Sequence, residues 1–122
     1  MSFPRITFKY TQTPVVYQLQ DLITQKFQSL ERYVGGKTDV RCEVEFAKVA
    51  PHQNGALYRV EVNLWSDGVL YRAEATEESF EKSIDAVRSE LDTELGRART
   101  KRQSLFRRGA RKMKDMMRLG SY

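Results

Sequence analysis

The chain has 122 residues and a net charge of +5, and 40% of its residues are hydrophobic. This length and composition suit one packed domain and argue against a fully disordered or fibrous chain. Its apolar runs have only a few residues, far short of the roughly 18–20 residues that span a bilayer. A single cysteine excludes a disulfide within the chain. We expect a cytoplasmic protein without a signal peptide.

The sequence offers almost no material for catalysis. It contains one histidine, His52, and one cysteine, Cys42. His52 falls in a polar loop without a cluster of other metal ligands nearby. Cys42 points inward in an alternating strand pattern, where a thiol packs as a small apolar side chain. We therefore predict that the protein is not an enzyme and that it uses no metal and no cofactor.

The first predicted elements are a strand and a helix. Residues 5–10 alternate between apolar and polar side chains and predict a half-buried strand. Thr13 and Pro14 predict the start of a helix, with the threonine as N-cap and the proline at the first helical position. Gly35-Gly36 predicts its end, because glycine accepts the left-handed conformation that helix ends require. The apolar stripe between these signals is Val15, Leu19, Leu22, Ile23, Phe27, Leu30 and Val34.

Three further strands are predicted at residues 40–46, 58–64 and 69–75, each with alternating polarity. Residues 51–55 are typical of a loop. Asp67-Gly68 predicts a tight hairpin, because a type I′ turn needs positive φ at both central residues. We expect the helices to cover the sheet face that carries Val44, Val60 and Tyr71. The opposite face alternates Arg and Glu, which is typical of a solvated surface with cross-strand ion pairs.

The last predicted element is a long helix. Thr76 is the predicted N-cap, and we expect the helix to end near Lys101. Its core stripe is Phe80, Ile84, Val87, Leu91 and Leu95. The fold class is therefore α+β, with the order β-α-β-β-β-α and a four-stranded sheet that packs two helices on one face.

Charge divides the chain into two unequal parts. Residues 1–96 contain 11 Lys and Arg against 15 Asp and Glu, whereas residues 97–122 contain 10 against one. We predict an α+β domain over residues 1–102 and a basic amphipathic tail over residues 103–122. Because Gly109 weakens a helix in the tail, we expect the tail to be disordered when free and ordered by a partner.

The composition of the tail leaves several partners open. Arginine dominates over lysine, and guanidinium groups match phosphate oxygens in a bidentate way and stack on bases, which suits RNA. A basic amphipathic helix also suits an anionic membrane surface. A stripe of methionines suits another protein. The plainest alternative is a solvated tail that only aids solubility.

Several phrases carry a family resemblance through their order and spacing. They are Arg5-Ile6-Thr7, Lys26 to Tyr33, Tyr58 to Leu64, Gly68 to Glu74, and Ser83 to Ala86. Together they resemble the ribosome hibernation-promoting factor family, also called ribosome-associated inhibitor A, over about residues 4–102. The short form of that family is the closer likeness, because the separate C-terminal dimerisation domain of long members has no counterpart in this sequence.

The resemblance implies a non-enzymatic factor that binds rRNA of the small ribosomal subunit. Members occupy the decoding channel, block tRNA and mRNA, and silence idle ribosomes in stress or stationary phase. Lys26 and Arg32 match basic positions on the first helix of the family, and Arg97 and Lys101 match positions near the end of the second. Whether bound ribosomes also pair with dimerisation partners stays open.

The sequence departs from the family at three positions. Family members often have basic residues there, whereas this chain has Ser29, Glu90 and Thr93. We hypothesise that the tail compensates with phosphate contacts of its own. The predicted RNA-binding residues are Lys26, Arg32, Arg97, Arg99, Lys101, Arg102, Arg107, Arg108, Arg111 and Lys112. Two alternatives remain, a general double-stranded RNA-binding module and a membrane-surface or protein-interaction adaptor that acts through the tail.

Overall fold

The computed structural model describes residues 3–50 and 57–119. The predicted loop at residues 51–55, which contains His52, lies outside the described residues. The elements in chain order are β1 (Ile6–Thr11), α1 (Tyr17–Phe27), a 3-10 turn (Gln28–Leu30), α2 (Glu31–Val34), β2 (Arg41–Lys48), β3 (Tyr58–Ser66), β4 (Val69–Glu77) and α3 (Phe80–Leu119). The order confirms the predicted α+β fold, since α1, the 3-10 turn and α2 together form its first helical layer.

The four strands form one mixed sheet in the order β1-β2-β3-β4. β1 pairs with β2 in parallel, and β2, β3 and β4 form an antiparallel meander. Alternation sets the register, because Val44 lies opposite Val62 and Val62 lies opposite Ala73, so apolar side chains line one face. That face is the one that the helices cover.

The core lies between this sheet face and the helices. From α1 and its continuation, Ile23, Phe27, Leu30 and Val34 are buried in it. From α3, the predicted stripe of Phe80, Ile84, Val87, Leu91 and Leu95 is buried as expected. Packing of both apolar stripes onto one sheet face brings the outer surfaces of α1 and α3 side by side, and two of the predicted binding residues, Lys26 and Arg32, lie there.

The predicted start of the first helix is wrong. Val16, not Thr13, is the N-cap, and it is extended with φ −126° and ψ 104°. Its carbonyl accepts hydrogen bonds from the Tyr10 hydroxyl at 3.3 Å and from the Leu19 amide at 3.1 Å, which holds residues 12–16 as a connection rather than a helical turn. Val15 is consequently 52% exposed instead of joining the core stripe.

The predicted start of the last helix is also wrong. Strand pairing continues as far as the Tyr58–Glu77 pair, so Thr76 belongs to β4. Ser79 takes the capping role, because its hydroxyl accepts the Lys82 amide at 3.2 Å. Two turn predictions are confirmed, since Asp67 and Gly68 both have positive φ and the first helical layer ends at Gly35-Gly36.

The predicted end of α3 near Lys101 is wrong, because the helix continues to Leu119. The segment is rich in Arg, Lys and Met, which favour helix and outweigh a cost of about 1 kcal/mol for Gly109. Residues 101–114 are exposed throughout. We use the name tail helix for residues 103–119, the part of α3 beyond the predicted domain boundary.

Candidate nucleic-acid interface

The predicted binding residues fall on two neighbouring surfaces. Lys26 lies in the last turn of α1 and Arg32 lies in α2, beside the first half of α3. The other eight follow one another along α3, from the domain into the tail helix. The fold therefore brings Lys26 and Arg32 next to the part of α3 that lies about 60 residues further along the chain.

The basic residues of the first helical layer are paired with carboxylates of α3. Lys26 forms an ion pair with Asp85, and Arg32 donates to Asp92 at 2.7 Å. The Tyr33 hydroxyl also donates to Asp92, at 3.1 Å. The Arg32 hydrogen bond lowers the pKa of Asp92, so this carboxylate stays charged and keeps hold of its partner. A phosphate that approached either cation would compete with its carboxylate.

A second set of ion pairs lies where α3 leaves the domain. Asp67, in the β3–β4 turn, accepts from both Lys37 and Arg102 at 2.7 Å. The hydrogen bond from Lys37 is the main cause of the lowered pKa of Asp67, and Arg102 adds to it. Arg97 contacts Glu94 of its own helix at 3.1 Å. Two more of the predicted cations are therefore already engaged.

The remaining predicted residues have a different environment. Arg99 is exposed, with its guanidinium 5.9 Å from the centre of the Tyr33 ring. Among described side chains, the ion pairs of α3 beyond Gly96 are those of Arg97 and Arg102 alone. Among the predicted residues, five exposed cations besides Arg99 have no ion pair with a described side chain: Lys101, Arg107, Arg108, Arg111 and Lys112.

The helix aligns these cations along one side. A groove of about 630 Å³ there is lined by Gly96, Arg97, Thr100, Lys101, Ser104, Leu105 and Arg108. Arg107 and Arg111 continue the same side into the tail helix, because residues four apart lie one above the other. This basic face can take successive phosphates without first breaking contacts in the domain, apart from that of Arg97.

The outer face of the sheet is an ion-pair network, as predicted. Arg59 lies 2.7 Å from Glu61 and 3.6 Å from Glu45, and it also donates to Glu74. Arg72 bridges to Glu61 at 2.7 Å. Because positive and negative groups satisfy each other across the strands, this face carries no excess of cations for a polyanion.

Other chemistry has little support among the residues that the structure describes. No group of three or more His, Cys, Asp or Glu side chains in residues 3–50 and 57–119 is placed to hold a metal ion. Burial, reinforced by the charge of Glu43, raises the pKa of the Cys42 thiol to about 12, which suits a core residue rather than a nucleophile. No helix in the described part of the chain is long and apolar enough to cross a bilayer.

Sequence reasoning missed the carboxylates that hold the predicted cations. Asp85 and Asp92 are seven residues apart, which places them on one side of α3, and that side flanks its core stripe. This spacing could have predicted that the side of α3 next to the first helical layer carries acidic residues. Asp67 gave no such signal beyond its turn, because its partners Lys37 and Arg102 come from distant parts of the chain.

Comparisons with known proteins agree with this architecture. The sequence model of the family described as Sigma 54 modulation protein / S30EA ribosomal protein matches residues 6–103. No curated protein matches the chain significantly.

Two solved structures are similar in fold. The Thermus thermophilus Protein Y N-terminal domain superposes with a TM-score of 0.63 at 22% identity, covering 77% of this chain and 98% of that one. A ribosomal subunit interface protein from Coxiella burnetii superposes with a TM-score of 0.61 at 18% identity, covering 78% of this chain and 97% of that one. The matched family region ends at residue 103, so nearly all of the tail helix lies beyond it.

Proposed function

Because the chain belongs to the Sigma 54 modulation protein / S30EA ribosomal protein family, we propose that it is a ribosome hibernation factor. It binds rRNA of the small ribosomal subunit in the decoding channel and excludes tRNA and mRNA. Translation stops in stress or stationary phase without any chemical turnover, and the protein acts in the cytoplasm.

The observation that carries this proposal is the unequal state of the cations on the two surfaces. In the domain, Lys26, Arg32 and Arg102 are held by carboxylates, and residues 1–96 have more acids than bases. On the basic face, Arg107, Arg108 and Arg111 are exposed on consecutive turns of one helix. The domain therefore provides shape, and the tail helix provides most of the attraction to phosphate.

Contacts of this kind fix position rather than read sequence. Arginine forks bind phosphate oxygens of any nucleotide, so discrimination comes from the shape of the folded rRNA that surrounds the domain. Six to eight phosphate contacts would make log K fall with log salt at a slope of about −4 to −7. We further propose that the tail helix is ordered mainly by its partner, because an isolated helix of this length with exposed side chains is only marginally stable in water.

The first test measures binding to purified small subunits and translation in a cell-free system. Full-length protein at ribosome stoichiometry should bind and inhibit, and excess bulk duplex RNA should not compete. If translation proceeds normally, the hibernation proposal is wrong. If duplex RNA competes as well as ribosomes do, the protein is a general double-stranded RNA-binding module instead.

The second test addresses the role of the basic face. The variant R107Q/R108Q/R111Q should weaken binding to small subunits and reduce the salt slope by about 2–3, because three phosphate contacts are lost. The control is K9Q/R41Q/R72Q on the outer sheet face, which makes the same change in net charge. This control should leave the slope unchanged. Equal slopes for the two variants would show that net charge, and not the basic face, governs binding.

A further inference from the structure

The end of the outer sheet face nearest the β3–β4 turn differs from the rest of that face. Strand register places Trp65 of β3 between Arg41 of β2 and Leu70 of β4. We use the name stacking row for these three residues. Arg41 and Leu70 are exposed, and the guanidinium carbon of Arg41 lies 4.6 Å from the centre of the Trp65 ring. A cation, an aromatic ring and an apolar side chain therefore lie side by side on the surface.

Arg41 is held differently from the other arginines of the sheet. Arg59 and Arg72 form ion pairs with glutamates on the same face, whereas Arg41 has no ion pair with a described side chain and lies over the indole instead. A guanidinium over an aromatic ring keeps its N–H groups free and can stack on a second flat group. Because β1 begins at Ile6, opposite Cys42, no residue of the described sheet pairs with Arg41 on its far side.

The contact between Arg41 and the indole is weak enough to be exchanged. A cation over an exposed aromatic ring changes an equilibrium by a factor of about two to five. A nucleic-acid base stacked on an aromatic side chain changes it by a factor of about five to 150. A base can therefore take the place of the guanidinium on the indole, and Arg41 can then cover the outer face of that base.

We propose that the stacking row binds one unpaired base of single-stranded RNA, which is held between Trp65 and Arg41. Stacking needs no excess of cations, so it suits a face whose other charges balance each other. Leu70 lies on the far side of Trp65, on the neighbouring strand. The site faces away from the helical layers and is separate from the basic face. The source of the base, a looped-out nucleotide of the rRNA around the domain, rests on the proposed function.

The size and charge of the stacking row argue against larger partners. Adjacent strands are about 4.8 Å apart, so the row is about 10 Å wide, which is the scale of one base. A stable protein interface buries roughly 800 Å² on each side, and the next row of this face, Glu43, Asn63 and Arg72, is polar. A bilayer would meet the carboxylate of Asp67 at the hairpin turn, and burial of a charge in lipid is costly.

The fluorescence of Trp65 tests the site directly, because it is the only tryptophan of the chain. The probe is a hexamer of adenosine nucleotides. Its control is a hexamer of tetrahydrofuran spacers, which has the same phosphates and no bases. The adenosine hexamer should quench the emission of Trp65, because a stacked base quenches indole, and the spacer hexamer should not. Equal quenching by both hexamers, or quenching by neither, would mean that no base stacks on Trp65, and the inference would be wrong.

A variant and a vesicle titration sharpen this test. R41Q should weaken binding of the adenosine hexamer by about two- to fivefold, because the base loses the group that covers its outer face. The control K9Q makes the same change in net charge at another exposed position of the outer sheet face and should bind as wild type does. Equal affinities of R41Q and K9Q would contradict the inference. A blue shift of Trp65 emission with phosphatidylglycerol vesicles, without quenching by RNA, would identify a bilayer as the partner and overturn it.

Binding to small subunits provides a second readout. W65L should bind at least about fivefold more weakly than wild type with an unchanged salt slope, because a stacked base is lost but no phosphate contact is. W65F keeps an aromatic ring and should recover part of the affinity. The control Y17L removes an exposed aromatic ring of α1 and should stay within about twofold of wild type. Equal binding by W65L and wild type would contradict the inference.

The two experiments separate this inference from the proposed function. If the wild-type chain does not sediment with small subunits, the proposed function fails, whereas quenching by the adenosine hexamer still decides whether the stacking row binds a base. Circular dichroism checks that W65L is folded, and R41Q tests the same site if W65L is not.

Discussion

Replacing Asp92 by asparagine should strengthen ribosome binding, although it removes a contact from the folded protein. The Asp92 carboxylate holds Arg32 at 2.7 Å, on the surface where the family resemblance implies contact with rRNA. In the wild-type protein, a phosphate must compete with this carboxylate for the same guanidinium. Asparagine removes the charge of the competitor but keeps an oxygen that can accept the Tyr33 hydroxyl, so the local packing survives.

The structure bounds the size of the effect. The side chain of Arg32 is 59% exposed and that of Asp92 is 37% exposed, so the pair is a solvent-screened one. Exposed ion pairs of this kind change an equilibrium by between about 1.4-fold and fivefold. D92N should therefore raise the affinity for small subunits by a factor in this range. D85N frees Lys26 in the same way, and the double variant should show roughly the product of the two factors, since the two pairs share no residue.

The assay is filter binding to purified small subunits at low and moderate salt, with D21N as the matched control. Asp21 is exposed on α1 and has no ion pair with a described side chain, so D21N makes the same change in net charge without releasing a cation. The gain of D92N over D21N should shrink as salt rises, because screening weakens the competition in the wild-type protein. If D92N binds no better than D21N, the internal carboxylates do not limit binding and the reasoning is refuted.

Three further predictions concern the free protein. Amide hydrogen exchange in residues 103–119 should be fast in the free chain and slow on small subunits, whereas α3 up to Leu95 should be protected in both; equally slow exchange in the free chain would contradict partner-dependent order. Leu91→Ala should lower the free energy of unfolding by about 2–5 kcal/mol in urea titrations, because Leu91 is completely buried, and a loss below about 1 kcal/mol would argue against the described core. Between pH 9 and 12, the free energy of unfolding should fall more steeply in wild type than in C42A, by about 1.4 kcal/mol per pH unit. The reason is that the unfolded thiol ionises near pH 9, whereas the buried thiol, with its pKa raised to about 12, keeps its proton. Parallel pH profiles of the two proteins would refute the burial of Cys42.

Local sequence patterns were sufficient for most of the fold. Alternation at Cys42, Val44 and Phe46 predicts both a strand and its buried face, and the structure confirms each. The Asp67-Gly68 pair predicts the hairpin, since few other residues adopt two successive positive φ angles. The starts of the helices were harder to predict, because Thr13 and Thr76 both have side chains that can cap a helix. Strand pairing places Thr76 in β4 instead, and the contacts of Val16 place the start of α1 after Thr13.

The predicted binding residues divide in the same way. The sequence alone determined that positive charge is concentrated in residues 97–122, because composition and spacing along one helix are local properties. Which of these cations are available depends on how the helices pack. Lys26 meets Asp85 and Arg32 meets Asp92 because both apolar stripes pack on one sheet face, which sets two distant segments side by side. Such pairing depends on the packed arrangement of the chain, so no window of sequence contains it.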